Sequence, residues 1–180
     1  MLRGRTVGLR ARIESDVPIL HAALYDDVAG HSDSDTRPWR PLPPTAELSP
    51  YRLKEAPEHS AEFTIVSLVD DRVVGECVLW SIDTHNRKAH IGLALLPEER
   101  HRGFGLDAVR VLSDYAFSVL GLHRVQIETN ATNAAMITTA ERAGFVVEGR
   151  VRDASWVVGR FVDEIVLGLL VDDWSVVEGA

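Results

Sequence analysis

The stretch from Ile91 to Leu120 constrains the fold most, because it combines an apolar run, a glycine turn and an amphipathic run in that order. Apolar residues fill Ile91 to Pro97, and from Leu106 onward they recur at helical spacing. The turn between them consists of Arg100, His101, Arg102, Gly103, Phe104 and Gly105. This order predicts a strand, a tight turn and a helix, which is the unit of an α/β fold.

The turn has the features of a phosphate or pyrophosphate site. A turn that opens a helix points several backbone N–H groups the same way, and the helix dipole adds partial positive charge. Gly103 and Gly105 carry no side chain to keep an anion from the backbone, and two arginines add charge. The spacing is not the dinucleotide fingerprint, since residue 108 is alanine, and no P-loop lysine is present. A turn without a ligand would also explain both glycines.

Bulk composition narrows the class of protein. The 180 residues fit one domain, 1–180, with a sizeable core. The net charge of −8 argues against nucleic-acid binding, which requires a basic face. One cysteine excludes an internal disulfide, no apolar run has transmembrane length, and the seven histidines show no paired metal-ligand spacing. We therefore expect a cytoplasmic protein with no metal and no membrane partner.

Hydrophobic periodicity predicts the remaining elements. Seven strands are expected at Thr6 to Ile13, Ala61 to Val69, Val73 to Ile82, Lys88 to Leu96, His123 to Asn130, Phe145 to Val151 and Arg160 to Val171. About four helices are expected, starting after Ser15, around Ala46 to Ala56, from Leu106, and at Ala134 to Ala143. Three consecutive strands form an antiparallel meander, so the sheet is mixed and mostly antiparallel.

Two residues have alternative interpretations. Trp39 lies in a Pro-rich segment, His31 to Pro50, which is expected to be a long loop. Its side chain either lines a substrate pocket or attaches the loop to the core. Cys77 lies in the middle of an apolar strand, which favours a core residue over a nucleophile.

Several further stretches, taken with the turn, resemble a known family. They are Tyr115 to Phe117, Gly121 to Val125, Asn133, Glu141 to Phe145, Glu148 with Gly149, and Asp163 with Trp174. The set resembles the GNAT superfamily of acyl-CoA-dependent N-acetyltransferases, and most closely its Rim-type branch, which includes ribosomal-protein N-terminal acetyltransferases. The part before Ala61 matches only in outline.

The resemblance implies a GNAT fold in which strands four and five splay apart and admit coenzyme A. The pyrophosphate would then bind the backbone of Arg100 to Gly105, which agrees with the anion site inferred from the turn. The pantetheine arm would pair with Leu93, Ala94 and Leu95 at the end of strand four. Asn133 would contact the same arm, although it can also serve simply as a helix cap.

The chemistry implied is direct attack of an amine on a thioester, which needs a base and a polarised carbonyl. Candidates for the base are His90, Glu76, Glu128 and His31. The positions where relatives place an acid hold Ala140 instead of tyrosine and Met136 instead of serine. Thr138, Thr139, Tyr115 or water remain alternatives for the acid.

Two functions follow as hypotheses. The first is an acetyl-CoA-dependent N-acetyltransferase acting on a small amine or a protein N-terminus. Four acidic residues before the Pro-rich loop and within it suit a cationic acceptor, although a solvated acidic surface explains them equally well: Asp26, Asp27, Asp33 and Asp35. The second is a non-catalytic acyl-CoA-binding regulatory module, which the missing acid keeps open. The apolar run Ile165 to Leu170 could also contribute to a homodimer interface.

Overall fold

The computed structural model describes residues 1–34, 37–55 and 57–178. The strands are β1 (Leu2–Arg3), β2 (Val7–Arg10), β3 (Ala61–Ser67), β4 (Val73–Asp83), β5 (Lys88–Leu95), β6 (Arg124–Asn130), β7 (Val146–Val157) and β8 (Arg160–Leu170). The helices are α1 (Asp16–Leu20), α2 (Val28–Ser34), α3 (Phe104–Asp114), α4 (Ala134–Arg142) and α5 (Val171–Glu178). Helices α1 and α3 each continue into a π-helical turn, at His21–Tyr25 and Tyr115–Val119.

All eight strands within these residues form one sheet in the order β1-β2-β3-β4-β5-β6-β8-β7. Every neighbouring pair is antiparallel except β5 and β6, which are parallel and joined through α3. The predicted mixed α/β sheet with one crossover is confirmed. The predicted counts are too low by one strand, the short β1, and by one helix. The helix count differs because α2 is separate from α1 and α5 follows β8 without a turn signal, whereas one predicted helix is absent.

One face of the sheet carries the main core. Side chains alternate along each strand, and the apolar set from β4, β5, β6 and β8 packs against α3 and α4. The fully buried residues of this core include Leu112 of α3 and, from the strands, Leu79, Ile127, Leu167 and Leu169. Cys77 is buried in this core as predicted, and burial raises the pKa of its thiol far above the usual range.

The opposite face of the sheet is more polar where β4, β5 and β6 meet. Cross-strand register places His90 opposite both Trp80 of β4 and Gln126 of β6. The parallel pairing of β5 with β6 runs from Lys88 to His90 and goes no further. Beyond His90 the two strands diverge, which confirms the predicted splay and opens a cleft between them.

Predictions for the segment between α1 and β3 were partly wrong. The predicted helix from Ala46 to Ala56 is absent over 46–55, where the chain makes successive turns, and residue 56 lies outside the described residues. Helix α2 extends into the predicted loop as far as Ser34. Pro43, Pro44 and Pro50 restrict backbone donors here, so short turns replace a helix.

Trp39 attaches this segment to the protein. Its Nε1 donates to the carbonyl of Tyr25 at 2.9 Å, and its ring packs on a small cluster that includes Leu20, Tyr51 and Leu96. The anchoring interpretation of Trp39 is therefore correct.

The apolar run on β8 is explained by its position in the sheet. Strand β8 lies between β6 and β7, and Leu167 and Leu169 are buried in the core. Burial in the core thus accounts for the apolar character of Leu167 and Leu169 without a partner subunit, and a dimer interface at Ile165 to Leu170 stays a prediction. Homodimerisation itself stays a prediction.

Asp107 of α3 fastens the start of β2 to the helix. Its carboxylate accepts from the backbone N–H groups of Arg5, Thr6 and Val7 at 3.1, 2.6 and 3.0 Å. Burial alone would raise the pKa of Asp107, but these donors outweigh burial and hold the pKa below its usual value.

We expect Asp107→Ala to lower the free energy of unfolding by about 2 kcal/mol at pH 7, because three donors lose a charged acceptor. The stabilisation is fully present above the unfolded-state pKa of about 3.9 and is lost as pH falls through the depressed folded-state value. Urea titrations of both proteins at pH 7 and near pH 3 measure this. Asp114→Ala, which removes only an exposed contact to Ser118, is the matched control and should change stability by less than about 0.5 kcal/mol.

Candidate functional site

The predicted anion turn lies at the N-terminus of α3. Gly103 immediately precedes the helix with φ of 83°, and a Cβ built there meets nothing within 4 Å. The first turn of a helix leaves its N–H groups without intrahelical acceptors. The open space above Gly103 therefore faces a set of backbone donors, as a phosphate site requires.

Both arginines of the turn are held by neighbouring groups. Arg100 Nε donates to the Leu95 carbonyl at 3.3 Å, and Arg102 Nη1 lies 3.4 Å from Glu99 Oε2. The Phe104 ring is buried with the Arg72 guanidinium 5.9 Å from its centre. The backbone of the turn thus faces the open space, whereas its two arginine side chains contact neighbouring residues.

Gly105 of α3 faces the end of β5, where an added Cβ would make only ordinary van der Waals contacts. A Cβ at Gly105 would lie 3.5 Å from the side chains of both Leu93 and Leu95. These two side chains face the helix, whereas Ala94 points to the other face of the sheet, opposite Glu76 of β4. The part of β5 predicted to bind the pantetheine arm therefore borders the cleft with its backbone.

The cleft between the diverging strands encloses a cavity of about 110 Å³. Its lining comes from β5, β6, α2, α4 and the β7–β8 pair. The polar members of the lining are Ser32, Glu128, Thr129, Asn130, Asn133, Ser155 and Glu164. Two carboxylates and several hydroxyl and amide groups in one small cavity favour a cationic or hydrogen-bonding ligand.

His90 and Glu128 lie together at the point where the strands separate. His90 Nδ1 is 3.5 Å from Glu128 Oε1, and the imidazole stacks on Trp80 with ring centres 4.4 Å apart. Nδ1 is buried and makes no hydrogen bond within the described part of the chain. Of the sequence candidates for the base, these two are brought together at the cleft.

Glu76 lies elsewhere on the same face. Glu76 lies four positions before Trp80 on β4, and this spacing corresponds to about 13 Å along a strand. Its carboxylate contacts the Arg12 guanidinium directly, while Arg12 also approaches Glu62 at 3.8 Å. Burial raises the pKa of Glu76 to about 7, with Arg12 opposing the shift. The ion pair with Arg12 gives Glu76 a structural task.

The candidates for the acid are placed as follows. Ala140 is fully buried and Met136 lines the cleft, so neither position offers a hydroxyl. Tyr115 packs edge-on against Phe63 in the core, 5.5 Å between ring centres. His31, a further candidate for the base, is buried on α2 against the Tyr25 ring at 4.9 Å.

Asn133 caps α4 and also borders the cleft. Its Oδ1 accepts from the Met136 N–H at 3.1 Å, and its Nδ2 donates to Thr129 Oγ1 at 3.1 Å. The capping interpretation is therefore correct, and the contact to a pantetheine arm stays a prediction. Of the acidic residues near the Pro-rich loop, Asp35 lies outside the described residues.

Glu164 and Ser155 also line the cleft, and neither was among the site residues expected from the sequence. Burial raises the pKa of Glu164, and the nearby Glu128 raises it further. Register pairs Asn130 of β6 with Glu164 of β8, which places Glu164 on the same face as Glu128. Alternation along β8 would have suggested a polar side chain there, but only the register across the sheet shows which cavity it borders.

Comparison with known proteins gives a consistent result. Residues 7–146 match the family model described as "Acetyltransferase (GNAT) domain". The chain is 32% identical to the "Uncharacterized N-acetyltransferase p20" of Bacillus licheniformis over 63% of its own length and 64% of p20. It is 36% identical to the "Putative ribosomal N-acetyltransferase YdaF" of Bacillus subtilis over 60% of its length and 59% of YdaF. The chain thus covers less than two thirds of either relative.

A solved structure shows the same fold over nearly the whole chain. Spermidine N-acetyltransferase from Vibrio cholerae, crystallised with CoA and spermine, superposes with a TM-score of 0.80. The match covers 94% of this chain and 98% of that one at 21% identity. Among the described residues, no helix is long and apolar enough to cross a membrane, and no three acidic, histidine or cysteine side chains lie together as metal ligands.

Proposed function

The chain belongs to the GNAT acetyltransferase family, and from this premise we propose that it transfers the acetyl group of acetyl-CoA to a primary amine. Residues 1–180 would form one acetyltransferase domain of the Rim-type branch. A cytoplasmic location stays a prediction.

One observation carries the proposal: Glu128 and His90 lie together where β5 and β6 part, and the helix that connects these two strands begins at the open turn at Gly103 (the cradle). Acetyl-CoA supplies the thioester carbon at which the new C–N bond forms as the C–S bond breaks. The backbone of Arg100 to Gly105 would hold the pyrophosphate, and Leu93 to Leu95 with Asn133 would hold the pantetheine arm. Donors on β5 would polarise the carbonyl.

Glu128 and His90 would prepare the amine. An ammonium group is attracted to the Glu128 carboxylate and must lose a proton before it can attack. Glu128 and His90 are 3.5 Å apart, so the pair can accept that proton at the mouth of the cleft. Solvent would protonate the departing thiolate, since Ala140 and Met136 offer no hydroxyl.

A cationic acceptor fits the charge of the cleft. Glu128 and Glu164 both line it, and burial together with the nearby Glu128 raises the pKa of Glu164, so a cationic ligand would favour the ionised form of Glu164. Small amines with several positive charges, such as spermidine, and protein N-termini followed by basic residues share this chemistry. The name of the Vibrio cholerae protein refers to spermidine, and that of YdaF refers to the ribosome.

The test is release of free thiol from acetyl-CoA in the presence of spermidine, monoamines and N-terminal peptides. We expect turnover with at least one amine and faster turnover with cationic acceptors. Binding of CoA in calorimetry without turnover on any acceptor would instead support the non-catalytic acyl-CoA-binding module. Failure to bind CoA would overturn both functions.

A further inference from the structure

We propose that Gln126, Arg124, Glu148 and Gly168 form a positioning network that fixes the Glu128 carboxylate in the cleft. The inference rests on the role proposed above for Glu128. It also assigns a role to Glu148, which precedes Gly149 in the sequence and has no part in the proposed cofactor site.

The network begins with a hydrogen bond to Glu128. Gln126 lies two residues before Glu128 on β6, so both side chains emerge on the same face. Gln126 Nε2 donates to Glu128 Oε1 at 2.7 Å. His90 Nδ1 approaches the same oxygen, so the second oxygen, Oε2, is available to an ammonium in the cleft.

Arg124 fixes which way the Gln126 amide points. Arg124 Nη2 donates to Gln126 Oε1 at 2.8 Å. Because a guanidinium has only donors, the amide must turn its oxygen toward Arg124 and its NH₂ toward Glu128. Arg124, the neighbour of Gln126 on this face of β6, thus sets the direction of the hydrogen bond from Gln126 to the Glu128 carboxylate.

Glu148 of β7 in turn holds Arg124. Both guanidinium nitrogens of Arg124 contact the two oxygens of Glu148, with Nη1 to Oε1 at 2.7 Å. This two-pronged pairing restricts the planar guanidinium more than a single contact would. The hydrogen bond to Arg124 lowers the pKa of Glu148, so the partner stays ionised.

Gly168 leaves space above β8 for the Arg124–Glu148 pair. Strand β8 lies between β6 and β7, and Gly168 is in register with both Gln126 and Val146. A Cβ at Gly168 would lie 2.4 Å from Glu148 Oε1 and 2.7 Å from Arg124 Nη1. An added Cβ would therefore force the ends of these two side chains to move, which would disturb the pair where it crosses β8.

The network matters more for orientation than for stability. The side chains of Arg124 and Glu148 are 23% and 39% exposed, and such partly solvated pairs contribute little to folding stability. In contrast, a displacement of about 1 Å at a reacting group can cost roughly 100-fold in rate. Loss of the network should therefore affect turnover strongly and unfolding weakly.

The experiment measures kcat, KM and the CoA dissociation constant for Gly168→Ala with the acceptor that reacts fastest in the thiol assay. We expect kcat to fall on the order of 10- to 100-fold with the dissociation constant unchanged. Gly149→Ala is the matched control, since a Cβ at Gly149 on the neighbouring strand meets nothing within 4 Å. It should keep the parent kcat.

A double-variant comparison separates positioning from general damage. If Gly168 acts through Glu128, Gly168→Ala should cause no further loss of kcat when Glu128 is already glutamine. Additive losses would overturn the inference. Gln126→Met, which removes the donor without touching β8, should reproduce the loss caused by Gly168→Ala and covers the case in which that variant folds poorly.

A spectroscopic readout does not depend on turnover. The side-chain amide signals of Gln126 in a ¹⁵N NMR spectrum should move toward solvent values in Gly168→Ala and stay in place in Gly149→Ala. Unmoved signals with full kcat would overturn the inference while leaving the role of Glu128 intact. Full activity of Glu128→Gln, in contrast, would overturn that role first and the inference with it.

Discussion

Replacing Glu128 with glutamine is expected to lower kcat for amine acetylation by about 100-fold or more, which is the usual contribution of a positioned base. Glutamine keeps the size of the side chain and can still accept from Gln126 Nε2, so only the charge and the basicity are removed. Glu128 lies on β6, away from the turn at Arg100 to Gly105, so affinity for CoA should not change. Thiol release and calorimetry on the same preparation measure the two effects separately.

Glu76→Gln is the informative comparison for Glu128→Gln. Glu76 is also a sheet carboxylate, and burial raises its pKa to about 7, within the range that suits a general base. Its ion pair with Arg12 and its distance from His90 argue against that role. We expect Glu76→Gln to lower kcat less than tenfold. A larger loss than in Glu128→Gln would transfer the role of the base to Glu76.

The parts of the fold that sequence reasoning predicted correctly depend on local information. A turn with Gly103 between an apolar run and an amphipathic run specifies strand, cradle and helix without reference to the rest of the chain. The α3 helix and the meander of β3, β4 and β5 follow from periodicity in the same way. The helix expected at 46–55 is absent because the segment has no continuous apolar stripe: Tyr51 packs on the small cluster, whereas Leu48 and Leu53 are exposed.

The parts that could not be predicted depend on register between distant strands. Glu164, Gly168 and Glu148 join the site only because β8 lies between β6 and β7. In the sequence, Gly168 is one small residue within an apolar run, and nothing local indicates that a guanidinium and a carboxylate meet above it. The pairing of His90 with Glu128 likewise depends on the parallel register of β5 and β6.

The second large effect is expected on CoA binding, from a substitution in the turn Arg100 to Gly105. We expect Gly103→Glu to weaken CoA binding at least about 100-fold, because it places a carboxylate where backbone donors and the α3 dipole would receive a phosphate. Gly103 has φ of 83°, so any side chain also adds strain in the left-handed region. Calorimetric titration with CoA measures the loss.

Gly121→Glu separates charge in the cradle from backbone strain. Gly121 has φ of 65° and a Cβ there also meets nothing within 4 Å, but it follows the π-helical turn at the far end of α3. The same substitution therefore adds the same charge and similar strain away from the cradle, and CoA affinity should stay within about twofold of the parent. Equal losses in the two variants would mean that strain acts through the fold. Unchanged affinity in Gly103→Glu would mean that the phosphate binds elsewhere, because an anion cannot share this turn with a carboxylate.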